Sequence, residues 1–206
     1  QLMQRRLDVR NADADVKKSY LNNYFDTGDA VVYHPDGRVK IILDSQTLRE
    51  ITHESPRNAE ALVLTEGTYK ALQGYEFNKG KLGKTESPLS REEVKAHPVW
   101  EVLARGKGLL NDYTDYIFAE SKERFGYDTA MGVYLFSVQG NTHEMRVLCV
   151  DGLGNGSTAS DRNYFDGNGR FVGIAPEALS APSKGASNLK SYTIADLQAV
   201  DKAVKD

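Results

Sequence analysis

Residues 30–43, Ala30-Val31-Val32-Tyr33-His34-Pro35-Asp36-Gly37-Arg38-Val39-Lys40-Ile41-Ile42-Leu43, decide the fold. Two runs of β-branched, aromatic and other apolar residues flank His34-Pro35-Asp36-Gly37, a turn signal too short to hold a crossover helix. The two runs must therefore return on each other as an antiparallel hairpin. Upstream, Val16, Tyr20, Leu21 and Tyr24 recur at helical spacing from Asp13 and Gly28 reads as a stop, which predicts a helix of about three turns. Residues 1–12 are polar and charged and are expected to be a frayed end. Downstream, the pattern predicts a short helix over Ser45–Ile51, a strand over Ala61–Thr65, a helical turn or two over Glu66–Leu72 and a loop over 74–89.

Ser90 followed by Glu93 is a capping box, and Pro98 marks a kink or a new helix start before Trp100, Val102 and Leu103. The longest periodic segment is Leu109–Phe125, with Leu110, Tyr113, Ile117, Ser121 and Phe125 on one face and Gly126 as its terminator. Met131–Val138 and Met145–Asp151 read as strands of a second hairpin, and Tyr164–Phe171 as a third. A Ser/Pro/Ala/Gly linker at 179–190 leads to a last helix capped by Thr193. Hairpins outnumber possible βαβ units. The expected fold is therefore α+β, one domain over 1–206, with a mainly antiparallel sheet built from hairpins and packed against several helices. Its core is expected from Leu110, Ile117, Phe125, Leu148 and Val150, with either Val133 and Leu135 or Tyr134 and Phe136.

The composition excludes several classes. Lys and Arg total 26 against 29 Asp and Glu, with no bias between the halves, so electrostatic capture of nucleic acid is not expected. No apolar run reaches the roughly 18 residues that span a bilayer, so no membrane partner is expected. Cys149 is the single cysteine. No intrachain disulfide can form, a buried inert thiol is expected, and the expected compartment is cytoplasmic.

The stretch Met145–Glu177 is where a site is expected. An apolar run ends at Asp151, and six of the chain's 18 glycines (152, 154, 156, 167, 169, 173) follow among Asn, Ser and Asp. Asp151, Asn155, Asp161 and Arg162 are the candidate ligand-binding residues, on loops 139–144 and 151–170, for a protein or a small polar ligand. With few apolar side chains, 152–163 is expected to be mobile until a partner binds. Tyr113, Tyr116, Tyr127 and Tyr134, four of the 11 tyrosines, cluster around the long helix and the next strand, where they line a pocket or fill the core. The segment Tyr164–Arg170 is similar to the aromatic hairpins of choline- and glucan-binding cell-wall repeats. No second copy lies beside it, and a common Asp-Gly turn accounts for it.

An enzyme acting on a phosphorylated or nucleotide substrate is the alternative. Gly80-Lys81-Leu82-Gly83-Lys84-Thr85 ends like a P-loop, with Lys84 and Thr85 as phosphate-binding candidates and Asp151 as a magnesium-side acid. Asn78 stands where the first glycine belongs, and Pro88 interrupts the helix due at the lysine. Calcium loops fail in both registers. From Asp166, Arg170 and Phe171 occupy positions needing a ligand and a glycine, and from Asp151, Leu153 and Arg162 occupy ligand positions. Ser157 replaces the third glycine of a dinucleotide fingerprint. Histidines 34, 53, 97 and 143 show no metal-binding spacing, and no serine has a nucleophile elbow, so neither a metal nor a cofactor is expected.

Overall fold

Val31 and Tyr33 point to one side of a central sheet and Ala30 and Val32 to the other, and both sides are covered. The computed structural model describes residues 1–58, 61–78, 80–85, 87–135 and 141–161, all within one compact unit, Gln1–Phe171. The chain opens with helix α1 (Leu2–Asp8), a 3-10 turn at Val9–Asn11 and helix α2 (Ala14–Asn22), whose first turn is capped by the Asp13 carboxylate. Strand β1 (Phe25–Tyr33) turns into β2 (Val39–Ile42), with Tyr33 opposite Val39, which is the hairpin read at 30–43. Then come α3 (Gln46–Arg49), β3 (Arg57–Asn58), β4 (Ala61–Leu64), α4 (Glu66–Ala71) and β5 (Tyr75–Phe77). Helices α5 (Arg91–Lys95), α6 (Pro98–Ala104) and α7 (Lys107–Phe125) precede β6 (Val133–Tyr134), β7 (His143–Val150) and β8 (Ala159–Ser160).

The sheet runs β3-β4-β7-β1-β2-β5 and is antiparallel throughout this path. The fold is α+β, as the hairpin count implies. Strand β7 has β1 on one side. On its other side β4 pairs with its first residues (Leu64↔His143) and β8 with its last (Val150↔Ala159). On one face the main core joins α1 and α5–α7 through Leu89, Trp100, Leu110, Tyr113, Ile117, Met131, Leu148 and Val150. On the other face a smaller core joins Leu62, Leu64, Met145 and Tyr69 to α3 and α4. Burial on both faces is why Ala30–Tyr33 reads as an unbroken apolar run instead of an alternating one.

Five expectations change, and the first is the loop read over 74–89, which contains β5 paired with β2. Residues 1–12 are not frayed, because Met3 and Leu7 enter the main core and Arg6 is fully buried. Gly28 does not stop α2, which ends at Asn22. It has φ +76° inside β1, where the pairing with β7 shifts between Asp26 and Ala30, a bulge that a left-handed glycine relieves. Among the described residues, the strands read at 131–138 and 145–151 do not pair with each other, since β8 lies between β6 and β7, parallel to the one and antiparallel to the other. Finally, Phe125 is 43% exposed at the end of α7, whereas Leu110, Ile117, Leu148, Val150, Val133 and Leu135 are buried. The expected hairpin at 164–171, the linker at 179–190, the final helix, Arg162 and Phe136 lie outside the described residues. No helix among the described residues is long and apolar enough to cross a membrane.

Candidate functional site

Where β7 ends, the backbone passes into a tightly bonded knot instead of a loose loop. Asn155 N–H and Ser157 N–H both donate to Gly152 O, Gly156 N–H to Leu153 O, and Asp151 N–H to Thr158 O. Met131 N–H donates to Gly156 O and Ala159 N–H to Gly132 O, stitching the knot to the segment entering β6. Two glycines are required for stated reasons. A Cβ on Gly152 falls 2.4 Å from Asn22 O, and Gly156 closes a 3-10 turn (Leu153–Asn155) at φ +70°. The expectation of mobility is therefore corrected for 152–161: these glycines are turns built into the fold.

Arg6 holds the knot from below. Its Nη1 donates to Ser157 Oγ (2.6 Å) and Tyr113 Oη (2.9 Å), its Nη2 to Asp151 O (2.9 Å) and Asn23 O (3.1 Å), and its Nε to Tyr20 O (2.9 Å). The guanidinium thus fixes both ends of the segment 151–157 to the α1–α2 corner and to α7.

Above the knot is a cavity of about 410 Å³. Asp151 and Asn155, two of the residues read from the sequence, line it together with Gly154, Gly156, Thr158 and Ser160. The facing wall is Tyr127, Thr129 and Ala130 from the turn after α7, Tyr134 from β6, and Pro88. Phe125 stacks on Tyr127 with ring centroids 5.3 Å apart, and its ring approaches Gly154 to 3.9 Å at the position of a Cβ. An exposed aromatic pair thus borders a concave surface carrying a carboxylate, an amide, and the hydroxyls of Thr129, Thr158, Ser160 and two tyrosines. Such a surface can stack a planar or ring-shaped ligand and hydrogen-bond its polar edge.

The other candidates are placed differently. Asp161 is fully buried and accepts a hydrogen bond from the Tyr33 hydroxyl, so it joins β1 to the end of β8 instead of facing the cavity. Lys84 pairs with Glu93 at 3.4 Å, and its carbonyl bonds to His97 Nε2. Neither Lys84 nor Thr85 lines the cavity with Asp151, and the next helix begins at Arg91 instead of at the lysine. Of loop 139–144, residues 139 and 140 lie outside the described residues, and His143 and Glu144 open β7 at the opposite end of that strand from Asp151. Cys149 is buried, and burial pushes its thiol up, followed by the charge of Asp151.

Of the four clustered tyrosines, Tyr127 and Tyr134 line the cavity, and Tyr113 turns its hydroxyl to Arg6. Burial pushes the Tyr116 hydroxyl up to about 12. Pro88, Thr129 and Thr158 carry no signal in the sequence. They reach the cavity because Leu89 bridges to Ala130 and because Thr158 bonds back to Asp151.

No protein-family model matches this sequence, and no curated protein does. Among solved structures, the chain is similar to one described as "Accommodation of massive sequence variation in Nanoarchaeota by the C-type lectin fold". The TM-score is 0.58 at 15% identity, over 79% of this chain and 78% of the other. The likeness is one of fold: an α+β domain of the C-type lectin kind.

Proposed function

We propose that this chain is a recognition module whose cavity at the end of β7 takes a small polar ligand. The observation that supports it is the convergence of Asp151, Asn155, Thr158 and Ser160 with Tyr127 and Tyr134 on one concave surface, from segments far apart in the chain. The bonded knot beneath keeps these groups in place before a ligand arrives, so little ordering entropy opposes binding. The neighbouring structure is described as accommodating massive sequence variation on the C-type lectin fold. In this chain a bonded frame lies below and the exposed Gly154 and Asn155 stand at the rim above.

The test is a nuclear magnetic resonance titration of the labelled full chain with monosaccharides, free amino acids and nucleosides, one class at a time. A ligand of this site shifts the amides of Gly154, Asn155 and Ser160, and Asn155→Ala weakens it about tenfold, the loss of roughly one well-made hydrogen bond. Binding that leaves these amides unmoved and is indifferent to Asn155→Ala would place recognition elsewhere.

A further inference from the structure

At the other end of β7, the fold assembles a group that the sequence scatters. His143 is the first residue of β7, His34 opens the turn after β1, and Glu66 is the first residue of α4. Antiparallel pairing sets Tyr33 opposite Glu144 and Leu64 opposite His143, so the ends of three neighbouring strands deliver the three side chains to one corner. One ligand atom from each lies within 4.8 Å of the other two. Glu66 Oε2 is 2.8 Å from His143 Nε2 and 3.7 Å from His34 Nε2. The Tyr69 ring, 4.9 and 5.0 Å from the two imidazoles, walls the corner.

The geometry points to a binding site for a divalent transition-metal ion, zinc above all, held by His34 Nε2, His143 Nε2 and Glu66 Oε2. Two imidazoles and one carboxylate are the donors that suit zinc, copper or nickel and that calcium and magnesium avoid. With bonds of about 2.0–2.1 Å, tetrahedral ligand atoms stand about 3.3–3.4 Å apart, so the corner needs only small side-chain rotations to close on an ion. The fourth position is left to water.

Three details favour a metal over an ordinary polar cluster. His143 Nε2 is buried and makes no hydrogen bond, although Glu66 Oε2 is close. His34 Nδ1 lies 2.7 Å from Asp36 Oδ1, while its Nε2 faces an Arg38 nitrogen at 3.0 Å. A guanidinium only donates, so Nε2 turns its lone pair to Arg38, while Nδ1 is met by the Asp36 backbone N–H at 3.2 Å and by the Asp36 carboxylate. A carboxylate held beside the far ring nitrogen is a common neighbour of metal-binding histidines. Glu66 Oε1 is meanwhile taken by Lys70 at 2.8 Å, leaving Oε2 for the ion. Arg38 is the competitor for His34, and it has Asp36 and Glu76 to fall back on.

The experiment is calorimetric titration of the chelator-treated full chain with zinc, repeated with cobalt for its visible spectrum and with calcium. One zinc binds per chain, cobalt shows the intense bands of low coordination, and calcium gives no heat. Glu66 is half exposed, so Glu66→Gln folds normally and weakens zinc at least tenfold. Asp36→Asn weakens it about 10–100-fold by loosening the His34 ring. Arg38→Gln tightens it by freeing His34 Nε2 and removing a nearby positive charge, and His53→Ala, at an exposed histidine, changes nothing. Absence of a one-to-one zinc isotherm, or zinc binding unchanged in both Glu66→Gln and His143→Asn, overturns the assignment.

Discussion

Arg6 puts a full charge where no surface is exposed, and its five donors meet five oxygens, none of them carboxylate in these bonds. Removing it strips a partner from three half-buried carbonyls and two buried hydroxyls at once. Arg6→Met is therefore expected to cost roughly 3–5 kcal/mol by chemical denaturation and to speed hydrogen exchange across 152–158. Lysine cannot replace it, because one ammonium lacks the fork that reaches both Tyr20 and Ser157. His97 is a second residue whose chemistry is fixed by its neighbours. Its Nδ1 accepts from Val99 N–H at the start of α6, and its Nε2–H donates to Lys84 O. Burial, more than any charge, lowers its pKa below the ordinary 6.5. The folded state thus prefers neutral imidazole, and its contribution to stability is complete above pH 6.5 and lost as pH falls through the lowered value. The melting temperature is expected to drop between pH 7.5 and 5.5, and to drop less in His97→Asn, which can still cap the helix. Equal drops in the two proteins would remove His97 from the account.

Helix α7 shows what periodicity can and cannot fix. Ile117 is fully buried at mid-helix against the sheet, and Ile117→Ala is expected to cost roughly 2–5 kcal/mol. Phe125 shares the same stripe but lies past the sheet, stacked on Tyr127, so Phe125→Ala is expected to cost under about 1 kcal/mol. Parallel urea curves distinguish the two. Features written within a few residues were legible in the sequence: the Asp-Gly hairpin, the Ser90–Glu93 capping box, Pro98 at a helix start and Gly126 at a helix end. Features set by distant partners were not. Val133–Tyr134 could not be known to pair with Ala159–Ser160, and the first helix owes its place to Arg6, whose partners lie 14 to 151 positions away. The site divides in the same way. Asp151 and Asn155 stand out because glycines surround them, and Tyr127 and Tyr134 because aromatics cluster there. Asp161 looks equally available in sequence yet is taken up inside by Tyr33.

Strand β7 organises the whole molecule, with buried pairing along its length and a different chemistry at each end. Its eight residues separate His143 from Val150 by roughly 23 Å at about 3.3 Å per residue. Between them Met145, Leu148 and Cys149 have no exposed surface, so substitutions there disturb both cores. The rim at Gly154 and Asn155 is another matter, since both are exposed and the bonds that hold the knot run through backbone atoms, Arg6 and Ser157. The fold should therefore tolerate change at the rim and resist it one strand-length of packing below. A small library randomising Asn155, Thr129 and Tyr127 is expected to keep most members within about 0.5 kcal/mol of the parent, as surface positions do. Leu148→Ala is expected to lose roughly 2–5 kcal/mol. Proteolytic resistance of the library, read by sequencing the survivors, measures both at once. If rim variants unfold as often as Leu148→Ala, the rim is part of the fold's own support, and the division between a fixed sheet and a changeable binding surface does not hold for this chain.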